Sequence, residues 1–164
     1  MSLGSSCRPL ALSTRTGWTV PNVTRMLRPP EAMLAAATIW EGRHPSIVRR
    51  SLDGTYNCMG MVFSSRRTAI HPEWLQRITD DDEYVELPSA DQLRVGDIVA
   101  YAVEGEVTHV AVVVRQDVMA EGDADPNLLL LSQWGFDGEF YHSLRDVPDA
   151  YGEPVRFFSD RKLC

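Results

Sequence analysis

Two residues in this chain have the types and the order that nucleophilic catalysis needs. Cys58 follows Asn57 at the point where a turn-like pair, residues 53–54, gives way to an apolar run. His109 opens a second apolar run, residues 110–114. A thiol attacks carbonyl groups as the thiolate, which a helix N-terminus and a neighbouring imidazolium both stabilise. A cysteine at the start of a predicted helix and a histidine at the start of a predicted strand therefore indicate a thiol nucleophile and its base.

Each of the two residues also has a structural explanation. Most free cysteines are small buried hydrophobic residues, and an isolated histidine at a strand end often faces water. In a strand, His109 would share a face with Ala111 and Val113, where a polar ring needs a partner. The occurrence of both residues on the expected elements favours the chemical interpretation.

A third group should orient the imidazole and fix its tautomer. Ser132 and Gln133 would lie on the strand that follows the His109 strand, and His142 lies further along the chain. All three are candidates. Trp134 would shield the histidine–partner hydrogen bond from water, although a core position is equally expected for it.

The residues before the nucleophile are candidates for stabilising an oxyanion. Tyr56 and Asn57 would donate hydrogen bonds beside the Cys58 backbone N–H, and the alternative is that Tyr56 packs the helix entry. Gly60 would leave room for a substrate backbone. Asp137 and Glu139 are expected to be turn or surface charges.

The remaining histidines receive no role. His44 and His71 each precede a proline, which favours extended loop positions. The four histidines lack the spacing of metal ligands, so we expect neither a catalytic metal nor another cofactor.

The predicted elements form an α+β architecture, in which helices precede an antiparallel sheet. Residues 1–29 are interrupted by three prolines and predict an extended segment, which would be able to block the site. Pro30 and Gly42 bracket a well-buried helix over 31–40. Further helices are predicted over 46–51, from Cys58 to about Arg66 and over 72–78, followed by a solvated loop over 79–83. Strands are predicted over 98–103, 107–114, 128–133, 139–142 and 154–158, with a polar loop over 116–127.

Bulk properties restrict the class of protein. The 164 residues fit one domain, residues 30–164, behind the N-terminal segment. A net charge of -7 argues against nucleic-acid or membrane partners. The three cysteines, Cys7, Cys58 and Cys164, form no disulfide framework or zinc motif, and a Cys7–Cys164 bridge stays open. No signal peptide or membrane span is evident, so we expect a cytoplasmic protein.

Three segments together resemble the papain-like cysteine peptidases, most closely the NlpC-type cell-wall peptidases. That family carries Asp-Cys-Ser-Gly-Leu-Val at a helix start, where residues 57–62 read Asn-Cys-Met-Gly-Met-Val. Its Gly-Asp-apolar and His-Val-Gly-apolar motifs correspond to residues 96–101 and 109–114. The resemblance implies a papain-like fold, Cys58 as nucleophile, His109 as base and acid, and a polar third residue on the next strand.

The sequence also departs from that family. Met59 replaces a small serine, Ala111 replaces a glycine, and no histidine occupies the expected third position. Residues 131–135 are closer to the Asn-Ser-Trp-Gly stretch of papain, with Ser132 in place of the asparagine. The expected activity is hydrolysis of an amide, peptide or isopeptide bond, with a peptidoglycan-type peptide as one candidate substrate. A deamidase, transglutaminase-like or acyl-transfer enzyme, or a non-catalytic papain-like binding module, are the alternatives.

Overall fold

A seven-stranded antiparallel sheet forms the centre of the molecule. The computed structural model describes residues 9–25, 27–117 and 127–162. Its strands, in chain order, are β1 (Val48–Ser51), β2 (Val85–Leu87), β3 (Ile98–Val103), β4 (Glu106–Gln116), β5 (Leu128–Gln133), β6 (Glu139–His142) and β7 (Glu153–Ser159). Their spatial order is β1-β6-β5-β4-β3-β7-β2, and every neighbouring pair is antiparallel.

The helices are fewer than the strands. They are α1 (Pro30–Arg43), α2 (Cys58–Phe63) and α3 (Leu75–Asp81), together with 3-10 turns at Pro72–Trp74, Ala90–Gln92 and Asp149–Tyr151. The α+β class predicted from the sequence is confirmed. The strict order of helices before strands is wrong, because β1 precedes α2 in the chain and β2 follows α3 directly.

Helix α1 forms where the sequence predicts it, with Pro30 in its first turn. The expectation that it is well buried is wrong. Only Met33 and Ala37 are buried, whereas Leu34 is 46% exposed and Ile39 is 55% exposed. The helix covers one flank of the sheet with a narrow stripe to which Trp40 adds by packing edge-on against Trp134, whereas Leu34 and Ile39 face outwards.

Two local predictions near the helices are wrong. The short helix expected over 46–51 is strand β1, which pairs with β6 at the edge of the sheet, so sheet pairing overrides local preference. Helix α2 ends at Phe63 because Ser65 and Arg66 adopt left-handed backbone angles, with φ of 52° and 64°. The loop expected over 79–83 begins inside α3, where the Thr79 hydroxyl is buried and donates to Leu75 O at 3.0 Å.

The β-rich half of the chain follows the sequence prediction closely. Strands β3 and β4 form the predicted hairpin, and positive φ angles at Glu104 and Gly105 (51° and 87°) give the tight turn that a two-residue connection requires. Strands β5 and β6 have the predicted bounds, and β7 is one residue longer at each end than predicted. Most of the loop predicted over 116–127 lies outside the described residues.

The sheet separates two apolar layers. On one face, α2 packs with Cys58 and Met59 against β3 and β4 at Ala100 and Val110. The other face carries Val99, Tyr101, Ala111 and Val113, covered in part by Leu144 and Val147. Since side chains alternate along a strand, His109 lies on this second face, opposite the face that α2 covers.

The N-terminal segment is docked on the α3 side of the molecule. The Thr14 hydroxyl donates to Asp81 at 2.8 Å, and the backbone of Val23 bridges to Ala69. Val20 belongs to the same apolar cluster as Cys58.

In the described part of the chain, no helix is both long and apolar enough to cross a membrane.

Candidate active site

The N-terminus of α2 is fixed by the side chain of Asn57. Its Oδ1 accepts hydrogen bonds from Gly60 N at 2.9 Å and Ile70 N at 3.1 Å, and its Nδ2 donates to Ile70 O at 2.7 Å. Asn57 is therefore the helix cap and also ties α2 to the following loop. Both ends of its amide are committed to this structural role, which does not fit the oxyanion role expected for the side chain.

Gly60 permits a close backbone approach inside the protein. A Cβ at this position would lie 1.7 Å from Thr68 O. The room that the sequence assigns to a substrate is thus filled by the protein's own chain. The glycine lets the loop before Ile70 pack directly on α2, which places Cys58 at the first residue of the helix.

The Cys58 sulfur lies in a gap between two strands. The pairing of β4 with β5 begins at Val112, opposite Leu131, so the preceding residues of β4 have diverged from β5. In this gap the backbone amides of Val110, Met59 and Cys58 itself lie near the sulfur and favour its thiolate form. Val110 directly follows His109, so the sulfur contacts the backbone next to the predicted base.

Burial controls the chemistry of this thiol. Cys58 is only 5% exposed. Desolvation raises its pKa to about 11, and this effect outweighs the three amides, which favour the thiolate. The sequence predicts a thiolate stabilised by the helix and by an imidazolium, but α2 has only six residues and the thiol is protonated at neutral pH.

A bulge in β4 places Thr108 on the side of the sheet that His109 faces, opposite α2. Tyr101 is opposite His109 and Ala102 is opposite Val107, which leaves Thr108 as the extra residue. Thr108 and His109 consequently face the same side. The Thr108 hydroxyl donates to Tyr151 O at 2.6 Å, and the His109 ring stacks on the Tyr151 ring, with the ring centroids 3.9 Å apart and the planes 2° apart.

His109 is a buried neutral base. Desolvation lowers its pKa well below the ordinary 6.5, and the nearby His142 lowers it further. Its Nε2 atom is buried and has no hydrogen-bond partner among the described residues. A neutral imidazole with an unsatisfied nitrogen has the capacity to accept a proton.

Tyr151 links the two halves of the site. Its pKa is raised mainly by burial and next by the charge of Cys58, so the phenol that stacks on the His109 ring also interacts electrostatically with the thiol. The sequence analysis missed this residue. The sequence offered one clue to Tyr151, which is the glycine that follows it. Gly152 has a φ of 76°, and a Cβ there would lie 2.0 Å from Ala102 O, so the glycine lets the Tyr151 turn pack directly on the sheet.

Two of the three candidates for the third group bind each other. Ser132 Oγ and His142 Nε2 are 2.8 Å apart, and Trp134 Nε1 donates to Ser132 Oγ at 3.0 Å. His142 Nδ1 must donate to the Ser143 carbonyl, 2.8 Å away, because a carbonyl only accepts. Burial lowers the pKa of His142 to about 4, so its ring is neutral and Nε2 accepts the Ser132 proton.

This network lies on the His109 face of the sheet. Val113 is opposite Leu130 and Leu130 is opposite His142, so alternation places Ser132 and His142 on the same face as His109. Neither side chain is hydrogen-bonded to His109 Nε2. Trp134 is fully buried there, with its N–H inside the network.

Gln133, the other candidate, points to the opposite face. Its Nε2 donates to Asp53 O at 2.6 Å, and its buried Oε1 has no partner among the described residues. Gln133 therefore supports the loop that leads into Cys58. It does not lie on the side from which the His109 ring extends.

A buried ion cluster anchors Tyr56. The Tyr56 hydroxyl donates to Glu139 at 2.9 Å, and Arg50 and Arg66 donate to the same carboxylate at 2.6 and 2.5 Å. Glu139 is completely buried, so its expected place at the surface is wrong. The oxyanion role expected for Tyr56 does not fit this placement, because its only hydroxyl proton is already donated.

The other predicted polar residues lie apart from this site or at its margin. His44 pairs with Asp146 at 2.7 Å, and His71 caps a 3-10 turn by accepting from Glu73 N. Asp137 is a turn residue, as expected, and binds Arg28 and Trp40. Within the described ranges, no three histidine, cysteine or acidic side chains are grouped as a metal site would require. Cys7 and Cys164, and with them their bridge, lie outside the described residues.

Comparison of this chain with protein-family models, with curated proteins and with solved structures gave no match. The resemblance to the NlpC-type peptidases therefore rests on the three sequence motifs. What the site does has to be inferred from its own geometry.

Proposed function

We propose that this protein is a thiol hydrolase, with a papain-like, NlpC-type arrangement, that cleaves an amide, peptide or isopeptide bond through an acyl-enzyme on Cys58. The observation that carries the proposal is the place of the Cys58 sulfur. It lies in the gap between β4 and β5, next to the amide of Val110, and the residue before Val110 is a buried neutral histidine whose Nε2 has no partner among the described residues.

The protonation states favour general-base catalysis. Cys58 is a thiol and His109 is neutral, so His109 would take the thiol proton as the sulfur attacks the carbonyl carbon. The protonated His109 would then give that proton to the leaving amine. Water would attack the thioester, with His109 again accepting a proton, and release the acid and the free thiol. The Cys58 backbone amide, which acts on the sulfur in the free protein, would serve as a main-chain donor to the oxyanion.

The same site would also serve other acceptors. Water and amines attack the same acyl-enzyme, so deamidation, transglutaminase-like and acyl-transfer reactions remain alternatives. Product analysis with added amines separates them. Only an amide product containing the added amine would identify a transferase.

A non-catalytic binding module is the second candidate function. The specific observation that favours it is the closed state of the thiol, which is 5% exposed with a raised pKa. Catalysis requires that the neighbours of Cys58 move when a substrate enters. A binding module requires no such movement.

Turnover of a peptide and amide library, read by mass spectrometry, tests the proposal. The library includes peptidoglycan-type peptides, and the variants are Cys58→Ala, Cys58→Ser and His109→Ala. We expect at least one substrate to be cleaved by the wild type and by the control Cys7→Ser/Cys164→Ser, and by none of the site variants. Undiminished cleavage by folded Cys58→Ala contradicts the proposal, and absence of any cleavage or acyl-enzyme across the library favours the binding module.

A further inference from the structure

The proposed reaction creates a positive charge on His109 inside the protein. Burial opposes that charge, as the lowered pKa of His109 shows. The residues expected to orient the ring do not hydrogen-bond its Nε2, since Ser132 and His142 bind each other and Gln133 faces the other side. Another group must therefore hold the imidazole.

Of the two aromatic rings that contact the His109 ring, that of Tyr151 is the closer. The two rings are parallel, with centroids 3.9 Å apart, whereas Tyr101, the cross-strand neighbour, is tilted by 55° at 5.6 Å. The parallel phenol ring of Tyr151 covers one face of the imidazole. It prevents the ring from turning about its Cβ–Cγ bond without displacing the phenol.

Tyr151 is itself held on three sides. Its carbonyl accepts the Thr108 hydroxyl, so the residue before His109 fixes the turn that carries Tyr151. The Gly135 backbone interacts with its phenol and lowers the pKa, and its ring meets Trp134 edge-on at 6.4 Å. Strand β4 and the Tyr151 turn thus form a clamp in which the position of each ring determines the other.

We propose that Tyr151 is a positioning residue for His109, which fixes the imidazole ring and stabilises the imidazolium through the face of the phenol. The proposal rests on the proposed function and deepens it. An aromatic face attracts a cation stacked on it, and the attraction increases when water is excluded. Among the described residues, Tyr101 and His142 interact with the His109 ring, and neither is a carboxylate. The Cys58 thiol and the Asp137 carboxylate interact with Tyr151 itself.

The test compares Tyr151→Leu, which removes the aromatic face, with Tyr151→Phe, which keeps it. Tyr84→Leu serves as a control for the loss of a half-buried tyrosine elsewhere, because Tyr84 packs on Phe63 at the other end of α2. Two quantities are measured in each variant. They are the His109-dependent part of the Cys58 alkylation rate with iodoacetamide, obtained with and without His109→Ala, and the pKa of His109 by NMR titration.

In Tyr151→Leu we expect the His109-dependent rate to fall roughly 2- to 30-fold and the pKa of His109 to fall further, as loss of a cation–π contact implies. In Tyr151→Phe and Tyr84→Leu, the His109-dependent alkylation rate should stay within about twofold of the wild-type rate. A role in packing alone predicts the opposite direction, because loosening the site would expose both groups. The alkylation rate would then rise, and the pKa of His109 would move up towards 6.5.

Failure of this proposal is distinguishable from failure of the proposed function. A wild-type alkylation rate that ignores His109→Ala argues against the Cys58–His109 pair. The NMR titration still tests Tyr151 in that case. An unchanged or raised pKa of His109 in folded Tyr151→Leu overturns the positioning role, whatever the rates show.

Discussion

The substitution Gly60→Ala tests how the Cys58 helix is held in place. The new Cβ would lie 1.7 Å from Thr68 O and 2.9 Å from Thr68 C, both backbone atoms. Neither can recede freely, because Asn57 holds the backbone of Ile70 at 2.7 and 3.1 Å and Val23 pairs with Ala69. Relief therefore requires α2 to separate from this loop.

The expected cost follows from two contributions. Overpacking costs about 1–3 kcal/mol. Separation of α2 from the loop also lengthens the two Asn57–Ile70 hydrogen bonds, at about 1 kcal/mol each. We expect Gly60→Ala to lower the free energy of unfolding by roughly 3–5 kcal/mol, a large part of the stability of a typical domain.

Urea unfolding followed by circular dichroism measures this change, with the slope against urea as a check on the unfolded state. Gly42→Ala is the matched control. Gly42 lies in α1, and nothing lies within 4 Å of a Cβ there, so alanine should be neutral or stabilise by up to about 1 kcal/mol. A Gly60→Ala protein within about 1 kcal/mol of wild type would refute the reasoning, since it would mean that the loop yields easily.

Three further predictions concern buried charge. The raised pKa of Cys58, about 11, implies a thiolate share at pH 7 roughly a hundredfold below that of an unperturbed thiol, and alkylation in the folded state as fast as in urea would contradict it. The lowered pKa of His142, about 4, implies stability that is complete above pH 6.5, and about 3 kcal/mol of it should be lost as the pH falls through 4. His142→Gln should flatten that loss in urea titrations, and an equally steep loss would assign it to other groups. Glu139→Gln should lower the free energy of unfolding by about 2–3 kcal/mol. This is less than for a fully buried ion pair, because Arg50 and Arg66 are 41% and 39% exposed and able to bind water. An unchanged free energy of unfolding would show that the cluster adds no stability.

The predictable part of the fold is the part in which local signals agree with tertiary pairing. The sequences of strands β3, β4 and β5 show alternating or continuous apolar residues between clear turn signals. The glycine at position 105 marks the hairpin between β3 and β4. The segment over 46–51 carries no comparable signal. Its strand character comes from pairing with β6, which lies about ninety residues further along the chain and so is invisible to local patterns.

The candidate site was predictable only in part for the same reason. Cys58 and His109 stand on the expected elements because turn and apolar patterns place them there. The bulge that brings Thr108 to the His109 side, where it binds the Tyr151 carbonyl, depends on register with β3. The burial that raises the pKa of Cys58 depends on packing from α3, β3, β4 and β7. The three candidates for the third group were assigned from strand order, which does not reveal which face a side chain occupies.

The two pKa shifts decide which form of the catalytic pair is stable. Burial moves the pKa of Cys58 up and that of His109 down, so the neutral thiol and imidazole outweigh the thiolate–imidazolium ion pair. If turnover begins from the neutral pair, the acid limb of the pH–rate profile reports protonation of His109. The midpoint of that limb should then lie below pH 6.5.

The same reasoning predicts no thiolate ultraviolet absorbance at pH 7 in a difference spectrum between wild type and Cys58→Ala. An evident thiolate at pH 7 would show that the ion pair forms despite burial. In that case, the three backbone amides around the sulfur contribute more stabilisation than desolvation removes.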